Sequence, residues 1–480
     1  MKNTRKTDVS HLEQPENNKT NGVETLLGDP KKAILKLSIP MVIAMTVSTI
    51  YNLVDAAWVS GLGSDALAAV GFVYPFFYMA IAIANGLGIG AGSAISRRIG
   101  ADDKDGADSV AAHSVIIMII ISFLFTLILF VFAREIFTAI GAGDTIDLAV
   151  IYARIMSIGA VIIFFSFIAN AILRAEGDAK RAMYSLGIGA ILNMILDPIF
   201  IYTFNLGVAG AAWATLVSMS VSSLLMFYWL FSKKDTYVSI HFRKFKFNKS
   251  ILKDIFSVGF PSSIMQLSMS INMLIINLII IQIGIINAVE NPQDNVAIFT
   301  AGWRVGMLAT MPLVGISTAV VSVSGALYGA YDYVKLKIAF IYAIKIGFVI
   351  ELAIALFVFF FAPQITLLFT LSDVSAHLAP GIIEFLRIIC IFFPIIAFGM
   401  LSSSMFQGIG KGKNALIVTI FRTIILSVPI IWFLSITLNL QLSGAWWGVV
   451  IANLIGSVIA FLWAHQYITK IQKKSIPQIQ

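Results

Sequence analysis

Twelve long apolar runs place the strongest constraint on how this chain can fold. Each has the length that an α-helix needs to cross a bilayer, about 20 residues with few charges. The sequence therefore predicts an all-α polytopic membrane protein with twelve transmembrane helices. The runs lie near residues 34–59, 66–95, 110–133, 147–171, 181–203, 208–231, 251–286, 295–327, 338–361, 379–404, 414–437 and 443–467.

The composition supports a membrane protein over a soluble one. Hydrophobic residues make up 59% of the 480 residues and charged residues only 12%, whereas soluble domains carry roughly 25% charged residues. A soluble protein this apolar would lack the polar side chains to cover its surface. The single cysteine, Cys390, lies in an apolar run and excludes an intramolecular disulfide.

Basic residues are concentrated in alternate connections between the runs. The connections at 96–109, 172–181, 232–253, 329–337 and 408–413 are basic, and the intervening ones carry almost no Lys or Arg. Basic loops mark the cytosolic side of a membrane protein. We therefore predict a multi-pass protein of the cell (plasma) membrane with both termini in the cytosol. This pattern also explains the net charge of +8 without a nucleic-acid partner.

Short echoes on either side of the midpoint indicate two related halves. Gly210-Ala-Ala-Trp213 corresponds to Gly444-Ala-Trp-Trp447, for example. Parallel repeats of six helices would enclose a central cleft and favour alternating access. The predicted division is a disordered cytosolic tail at 1–30, an N-lobe at 31–231 (helices 1–6), a cytosolic inter-lobe linker at 232–250, a C-lobe at 251–467 (helices 7–12) and a cytosolic tail at 468–480.

Two acidic residues lie well inside apolar runs of the first half. Asp55 is late in the first run and Asp197 late in the fifth, so both belong to the outer half of the membrane. An ionisable group in hydrocarbon costs a few kcal/mol or more, which marks such residues as functional candidates. We expect the two acids to face one cavity.

Polar residues accompany each acid at helical spacing. Asn193 precedes Asp197 by four residues and Tyr51 precedes Asp55 by four, so each pair shares a helix face. An amide oxygen beside a carboxylate suits Na⁺, and a buried carboxyl also suits a proton. The structural alternative is that the acids pair with a buried base, for which Arg154 is the main candidate.

The second half carries different charges. Glu351, in the middle of the ninth run, is a candidate for a second ion site, and position 276, which aligns with Asp55, is isoleucine. The five histidines show no metal-ligand spacing. No nucleotide-binding domain is present in the sequence, so we predict that an ion gradient drives transport. We also predict no cofactor, no enzyme activity and no metal beyond possible Na⁺.

Five segments of the chain form a specific combination. They are Tyr51-Asn-Leu-Val-Asp55, Gly61-Leu-Gly-Ser-Asp-Ala-Leu-Ala-Ala-Val-Gly71, Glu176-Gly-Asp-Ala-Lys180, Leu192-Asn-Met-Ile-Leu-Asp-Pro198 and Gly207-Val-Ala-Gly-Ala-Ala-Trp-Ala-Thr215. With these segments the chain resembles the multidrug and toxic compound extrusion (MATE) transporters, in particular the DinF-like branch, over roughly residues 31–465.

The resemblance implies two six-helix lobes forming a V-shaped central cleft, and exchange of H⁺ or Na⁺ for amphipathic, often cationic drugs or toxic metabolites. It implies a cation site in the N-lobe, an N-lobe cavity and a proline that permits the first helix to bend. The residues that match are Asp55, Asn193, Asp197 and Thr215 for the cation, Tyr51 and Asn170 for the cavity, and Pro40 for the hinge. The NorM-like branch carries acids in the C-lobe, whereas the seventh run here has none beyond Asp254 at its start and carries the amides Gln266, Asn272 and Asn277 instead.

Two other functions are weaker alternatives. A lipid-linked saccharide flippase of the wider superfamily favours basic groups in its central cavity, and the first half offers few. An intramembrane prenyltransferase needs several carboxylates near one another to hold Mg²⁺-diphosphate. We expect a monomer in the lipid bilayer that binds small amphipathic molecules.

Overall fold

The computed structural model describes residues 19–475, apart from 234, 243–244, 288–290 and 371–375. Within this part of the chain the regular elements are all helices, which confirms the predicted fold class. The first half contains α1 (Asn21–Leu27), α2 (Pro30–Ser60), α3 (Ser64–Gly100), α4 (Lys104–Val131), α5 (Ala133–Ala139), α6 (Ile146–Ile158), α7 (Ala160–Ala175), α8 (Ala179–Pro198) and α9 (Gly207–Phe227).

The second half repeats this pattern of long helices. It contains α10 (Lys249–Ile286), α11 (Pro292–Ala309), α12 (Met311–Gly329), α13 (Tyr333–Leu367), α14 (Ala379–Ile389), α15 (Phe392–Gly408), α16 (Gly412–Ile420), α17 (Ser427–Trp432) and α18 (Gln441–Ser475). Short π-helices extend several of them, at Ile199–Thr203, Tyr228–Ser232, Phe421–Leu426 and Phe433–Thr437.

Ten of the described helices are long and apolar enough to cross a membrane, and two bent pairs bring the number to twelve. The α6–α7 pair bends by 47° and the α14–α15 pair by 50°. The predicted eighth run is likewise divided, into α11 and α12, at Thr310. Pro312 follows directly and has no N–H to continue the backbone ladder.

Helices extend into both of the segments that the sequence analysis predicts to be tails. Residues 1–18 and 476–480 lie outside the described part of the chain, but α1 begins at Asn21 and α18 continues to Ser475. The prediction of a disordered segment up to residue 30 is therefore wrong for its last third. Val23 and Leu26 are almost fully buried, and burial of these two side chains supports a helix too short to be stable alone.

Equivalent backbone features recur in the two halves, consistent with the proposed duplication. Asn205 and Asn439 have the same left-handed conformation (φ 53°) between successive spans. Asp102 (φ 58°) and Tyr331 (φ 57°) do the same after α3 and α12. Residues other than glycine rarely adopt positive φ. Its recurrence at these positions therefore marks equivalent turns in the two halves.

The two halves meet most closely near the ends of α3 and α12. We call this end of the molecule the basic face, because the basic connections lie there. A Cβ on Gly100 would collide with the carbonyl oxygen of Ala326, and one on Gly329 would collide with that of Arg97. The contact is thus reciprocal, as expected for two repeats related by a two-fold axis.

Charged side chains reinforce this contact. Arg97 Nη2 lies 2.5 Å from Asp254 Oδ1, and Arg98 Nη1 lies 2.8 Å from Asp254 Oδ2. Both arginines are on α3 and Asp254 is on α10, so the ion pairs join the two halves. Ser93 Oγ also donates to the carbonyl oxygen of Gly408, at 3.0 Å.

The segment between α9 and α10 is held against the basic face by Glu176. The Val238 backbone N–H donates to Glu176 Oε2 at 3.0 Å, and both residues are buried. Burial of the carboxyl group raises the pKa of Glu176 to about 8. The carboxyl is therefore protonated in the folded protein over a pH range in which an exposed glutamate is ionised.

We predict that Gly100→Ala destabilises the protein relative to Gly71→Ala. Both glycines are in α3 and should gain similar helix propensity, about 1 kcal/mol. A Cβ on Gly71 meets nothing within 4 Å, whereas one on Gly100 collides with the opposite helix. Overpacking of this kind costs about 1–3 kcal/mol. Thermal unfolding in detergent should give a clearly lower midpoint for Gly100→Ala, and equal midpoints would contradict the close approach.

We predict that Glu176→Gln flattens the pH dependence of stability. The pKa of Glu176 is about 8 in the folded protein, against an ordinary value of 4.5. As the pH rises, the carboxyl group therefore loses its proton in the unfolded state before it does so in the folded state. Wild-type stability should therefore fall as the pH rises from about 4.5 to 8 and then level off, a loss of a few kcal/mol. Glu176→Gln should unfold at a higher temperature than wild type at pH 8.5 and not at pH 5.

Glu135→Gln, at an exposed acid of α5, is the matched control and should follow the wild-type profile. If Glu176→Gln and wild type lose stability in parallel as the pH rises, the carboxyl of Glu176 is not buried in its protonated form.

Candidate cation-binding site

Three helices of the first half bring the predicted polar residues together. Tyr51 and Asp55 are on α2, Asn193 and Asp197 on α8, and Thr215 on α9. α8 packs along both α2 and α9, so its i and i+4 polar residues face the other two helices. The cluster lies several turns from the basic face, at the opposite ends of α2 and α8.

Three oxygen atoms of this cluster accept no hydrogen bond. Asn193 Nδ2 donates to Thr215 Oγ1 at 3.3 Å, and Thr215 Oγ1 donates to the Ala211 carbonyl oxygen at 3.0 Å. Asn193 Oδ1 and both carboxylate oxygens of Asp197 are buried without a hydrogen-bond donor. Buried acceptors are normally satisfied, so these three oxygens point to a ligand.

Asp55 and Asp197 are immediate neighbours. Their carboxyl groups approach within reach of one shared hydrogen bond, and Asn193 adjoins the same carboxyl of Asp197. Asp197 has no exposed surface, while Asp55 is partly exposed. Two carboxylates at this separation repel each other strongly in a medium of low dielectric constant. A positive charge between them, or a proton on one of them, removes that repulsion.

No basic side chain in the described part of the chain forms an ion pair with either acid. Arg154, the base that the structural alternative requires, donates through Nε to the Phe130 carbonyl oxygen at 3.3 Å. Its guanidinium also lies over the Phe130 ring, 5.4 Å from the centroid. Pairing with Arg154 therefore does not explain the buried acids.

The backbone beside Asp197 departs from regular α-helix, as Pro198 predicts. The π-helix Ile199–Thr203 begins directly after this proline. Proline removes one N–H from the helical ladder, and π-turns are frequent at functional sites because they reorient neighbouring side chains. The irregular turn therefore begins two residues after Asp197.

Tyr152 lies beside the cluster but is not among the site residues predicted from the sequence. It is on α6, and its ring lies close enough to Asp55, Asp197 and Tyr51 to interact electrostatically with them. Tyr51 in turn adjoins Thr215. A tyrosine in an apolar run carries no charge and costs little to bury, so no sequence signal separates Tyr152 from core aromatic residues.

Asn170 and Pro40 lie outside the cluster. Asn170 Nδ2 donates to the Ala182 carbonyl oxygen at 3.0 Å, and Arg174 donates to Asn170 Oδ1, so its contacts are nearer the basic face. α2 runs from Pro30 to Ser60 without a break at Pro40. The cavity role of Asn170 and the hinge role of Pro40 stay predictions.

Glu351 is buried by itself in the second half. It has no exposed surface, and neither carboxylate oxygen accepts a hydrogen bond that meets normal geometry. The backbone of Leu313, just after the break between α11 and α12, lies close to its carboxyl group. No second acid among the described residues acts on this carboxyl group, so the predicted second ion site differs in chemistry from the first.

The first-half cluster is suited to a hard cation or a proton. Its donors are two carboxyl groups, one amide oxygen and hydroxyl groups, which are ligands that hard cations prefer. Among the described residues no group of three or more His, Cys, Asp or Glu side chains could hold a metal ion. The arrangement therefore fits Na⁺ or H⁺ better than a transition metal.

Comparisons with known proteins agree with this reading of the fold. The MatE family model matches residues 40–199 and 261–433. The two matched segments start at Pro40 and Pro261, the corresponding prolines of α2 and α10. The multidrug export protein MepA of Staphylococcus aureus (strain MRSA252) is 28% identical over 440 residues, covering 90% of this chain and 92% of MepA.

Solved structures are more similar still. A MATE protein crystallised in complex with MaL6 is 48% identical, with a TM-score of 0.91 over 95% of this chain and 100% of that chain. An outward-facing multidrug resistance MATE family transporter of the MOP superfamily is 49% identical. Its TM-score is also 0.91, over 95% of this chain and 99% of that chain.

Proposed function

Because this chain belongs to the MatE family of multidrug efflux transporters, we propose that it is a cation-coupled antiporter of the plasma membrane. It exports amphipathic, cationic compounds in exchange for H⁺ or Na⁺, with both termini in the cytosol. Family membership makes the chain a transporter, so the prenyltransferase alternative is wrong. The similarity to MepA, named a multidrug export protein, favours drug efflux over a lipid-linked saccharide flippase.

The carboxyl pair of Asp55 and Asp197 is the observation that carries the proposal. The two carboxyl groups are adjacent, Asp197 is fully buried, and neither acid forms an ion pair with a base in the described chain. In a bilayer such a pair is stable only when a positive charge reaches it. A site that must alternate between cation-bound and cation-free forms is what an ion-driven antiporter requires.

Coupling follows from differential affinity. The cation enters from the face opposite the basic face and binds among Asp55, Asn193, Asp197 and Thr215. Substrate binds the cation-free form more tightly, because a ligand shifts an equilibrium only by its difference in affinity for the two states. Neutralising the acids therefore lowers the affinity for a cationic substrate and releases it outward.

Alternating access uses the contact at the basic face. There α3 crosses α12 at Gly100 and Gly329, and Arg97 pairs with Asp254. The close contacts between the halves lie in the part of the helices nearest this face, so the cleft opens on the opposite side. Opening toward the cytosol separates α3 from α10 and α12 and breaks the Arg97–Asp254 pair.

We predict that Asp55→Asn and Asp197→Asn each reduce gradient-driven transport at least tenfold. Asparagine keeps the size of the side chain but cannot bind and release a proton or hold Na⁺ as a charged ligand. The assay is ethidium uptake into proteoliposomes under an imposed pH gradient or an imposed Na⁺ gradient. The gradient that drives wild-type uptake identifies the coupling ion.

Asp147→Asn is the matched control, because Asp147 is exposed and pairs with Arg134 in the same half. It should transport at the wild-type rate. Wild-type uptake by both site variants would exclude the first-half cluster as the coupling site. Glu351→Gln tests the second candidate site in the same assay, and unchanged ion dependence would remove it.

We predict that Asp254→Asn favours the cytosol-open state by about tenfold, the change that 1.4 kcal/mol produces. It leaves Arg97 and Arg98 facing each other without their shared acid. The readout is the labelling rate of a cysteine placed at Ser96 in a Cys390→Ser background. Ser96 is fully buried and packs against Gly325 of the other half, so it reacts only after opening.

Asp235→Asn is the control for this measurement. Asp235 pairs with Arg181 and Lys233, none of which is in the second half. It should leave the labelling rate unchanged. Equal rates for Asp254→Asn and Asp235→Asn would show that the ion pair does not hold the basic face closed.

A further inference from the structure

Two adjoining grooves lined by lysines lie on the basic face, away from the cation site. One, of about 470 Å³, lies between the start of α2, the first turns of α13 and the end of α18. The other, of about 410 Å³, continues between α13 and α18 and shares Lys337 with the first. We call the pair the lysine groove. Its five lysines are Lys31, Lys337, Lys345, Lys470 and Lys473.

The first of the two grooves has an apolar wall, and neither groove contains an acid. Val334, Ile338, Ile341 and Tyr342 of α13 form this apolar wall. None of the residues that line either groove is Asp or Glu. In the described part of the chain, none of the five lysines forms an ion pair with an acid either.

The position of Lys345 places the groove near the lipid headgroup layer. It lies twelve residues after the start of α13 and its side chain is exposed, although α13 is a membrane span. A helix of 35 residues is about 52 Å long, against a hydrocarbon thickness of about 30 Å. The first turns of α13 therefore extend beyond the hydrocarbon, and Lys345 is within reach of the headgroup layer if its side chain extends toward it.

The equivalent surface of the first half is different. With Gly100 matched to Gly329, Lys337 corresponds to Asp108 of α4 and Lys345 to Ile116. Asp108 is covered by protein, because the Ser239 N–H donates to its Oδ1 at 2.7 Å. The segment between α9 and α10 thus covers one surface, while its counterpart presents Lys345, which is exposed, and Lys337, which is partly exposed and donates to Thr469 Oγ1 at 3.3 Å.

We propose that the lysine groove binds an anionic phospholipid of the cytosolic leaflet. The phosphate lies among the lysine ammonium groups, and an acyl chain packs along Val334, Ile338 and Ile341. Basic pockets between transmembrane helices on the cytosolic side are suited to such headgroups. Lys31 is on α2 and the other four lysines are on α13 and α18, so the headgroup bridges the first helix and the second half.

Native mass spectrometry of the full-length protein tests this proposal. Phosphatidylglycerol and phosphatidylcholine with the same acyl chains are titrated into the detergent-purified protein. Wild type should bind the first phosphatidylglycerol at least tenfold more tightly than phosphatidylcholine. The variant K31Q/K337Q/K345Q should lose most of that preference, because each lysine near an anionic headgroup contributes to the attraction.

The matched control is K253Q/K411Q/K413Q, which removes three exposed lysines from other parts of the basic face. It should keep the preference of wild type. An equal loss in both triple variants would show that net charge alone attracts the lipid and would overturn the proposal. Wild type without a preference, or displacement of the lipid by equimolar glycerol 3-phosphate, would overturn it too, since the acyl chain would then contribute nothing.

Discussion

The adjacency of Asp55 and Asp197 is the constraint on which the rest of this structure depends. Two carboxyl groups without a base are tolerated inside a bilayer protein only if a cation visits them. Asn193 donates its amide N–H to Thr215 Oγ1, which leaves the buried amide oxygen without a hydrogen-bond donor. The site is therefore rich in acceptors and lacks a resident positive charge, as a reversible cation site requires.

Helix α2 connects this site to the contact between the halves. Asp55 lies near one end of α2, and Val42, nearer the basic face, packs directly against Gly315 of α12. α2 is continuous between these two residues, so a rotation or bend driven at Asp55 reaches the place where the halves touch. Pro40 lies at the same level as Val42, where the backbone ladder lacks one hydrogen bond. This geometry supports the proposed coupling between ion binding and access.

Hydropathy and loop charge predicted the helices because the bilayer demands about 20 apolar residues per span, wherever the helix packs. The bends were not predicted, although Pro312, two residues after the break at Thr310, lacks the N–H that would continue the backbone ladder. The turn between α14 and α15 was likewise missed inside the run 379–404. The cluster was predictable because a buried acid is rare in an apolar run. Tyr152 was not, since an uncharged aromatic residue looks the same in a core and in a site. The helix α1 was missed because its two buried side chains are stabilised by tertiary contacts, which composition does not reveal.

The two halves have retained their backbone geometry while their ion chemistry has diverged. The Gly100–Gly329 crossing needs only that neither residue carries a side chain, so any repeat that closes the cleft must keep both glycines. The proposed cation site has no such reciprocal requirement, because on this proposal a single site in one lobe is sufficient to bias the whole molecule. Ile276 can therefore replace the acid in the second half and is buried among apolar residues. Glu351 and Arg422 remain there as buried ionisable residues, each with two side-chain atoms that make no hydrogen bond. Closure is thus a property of both halves, whereas the proposed ion coupling belongs to one.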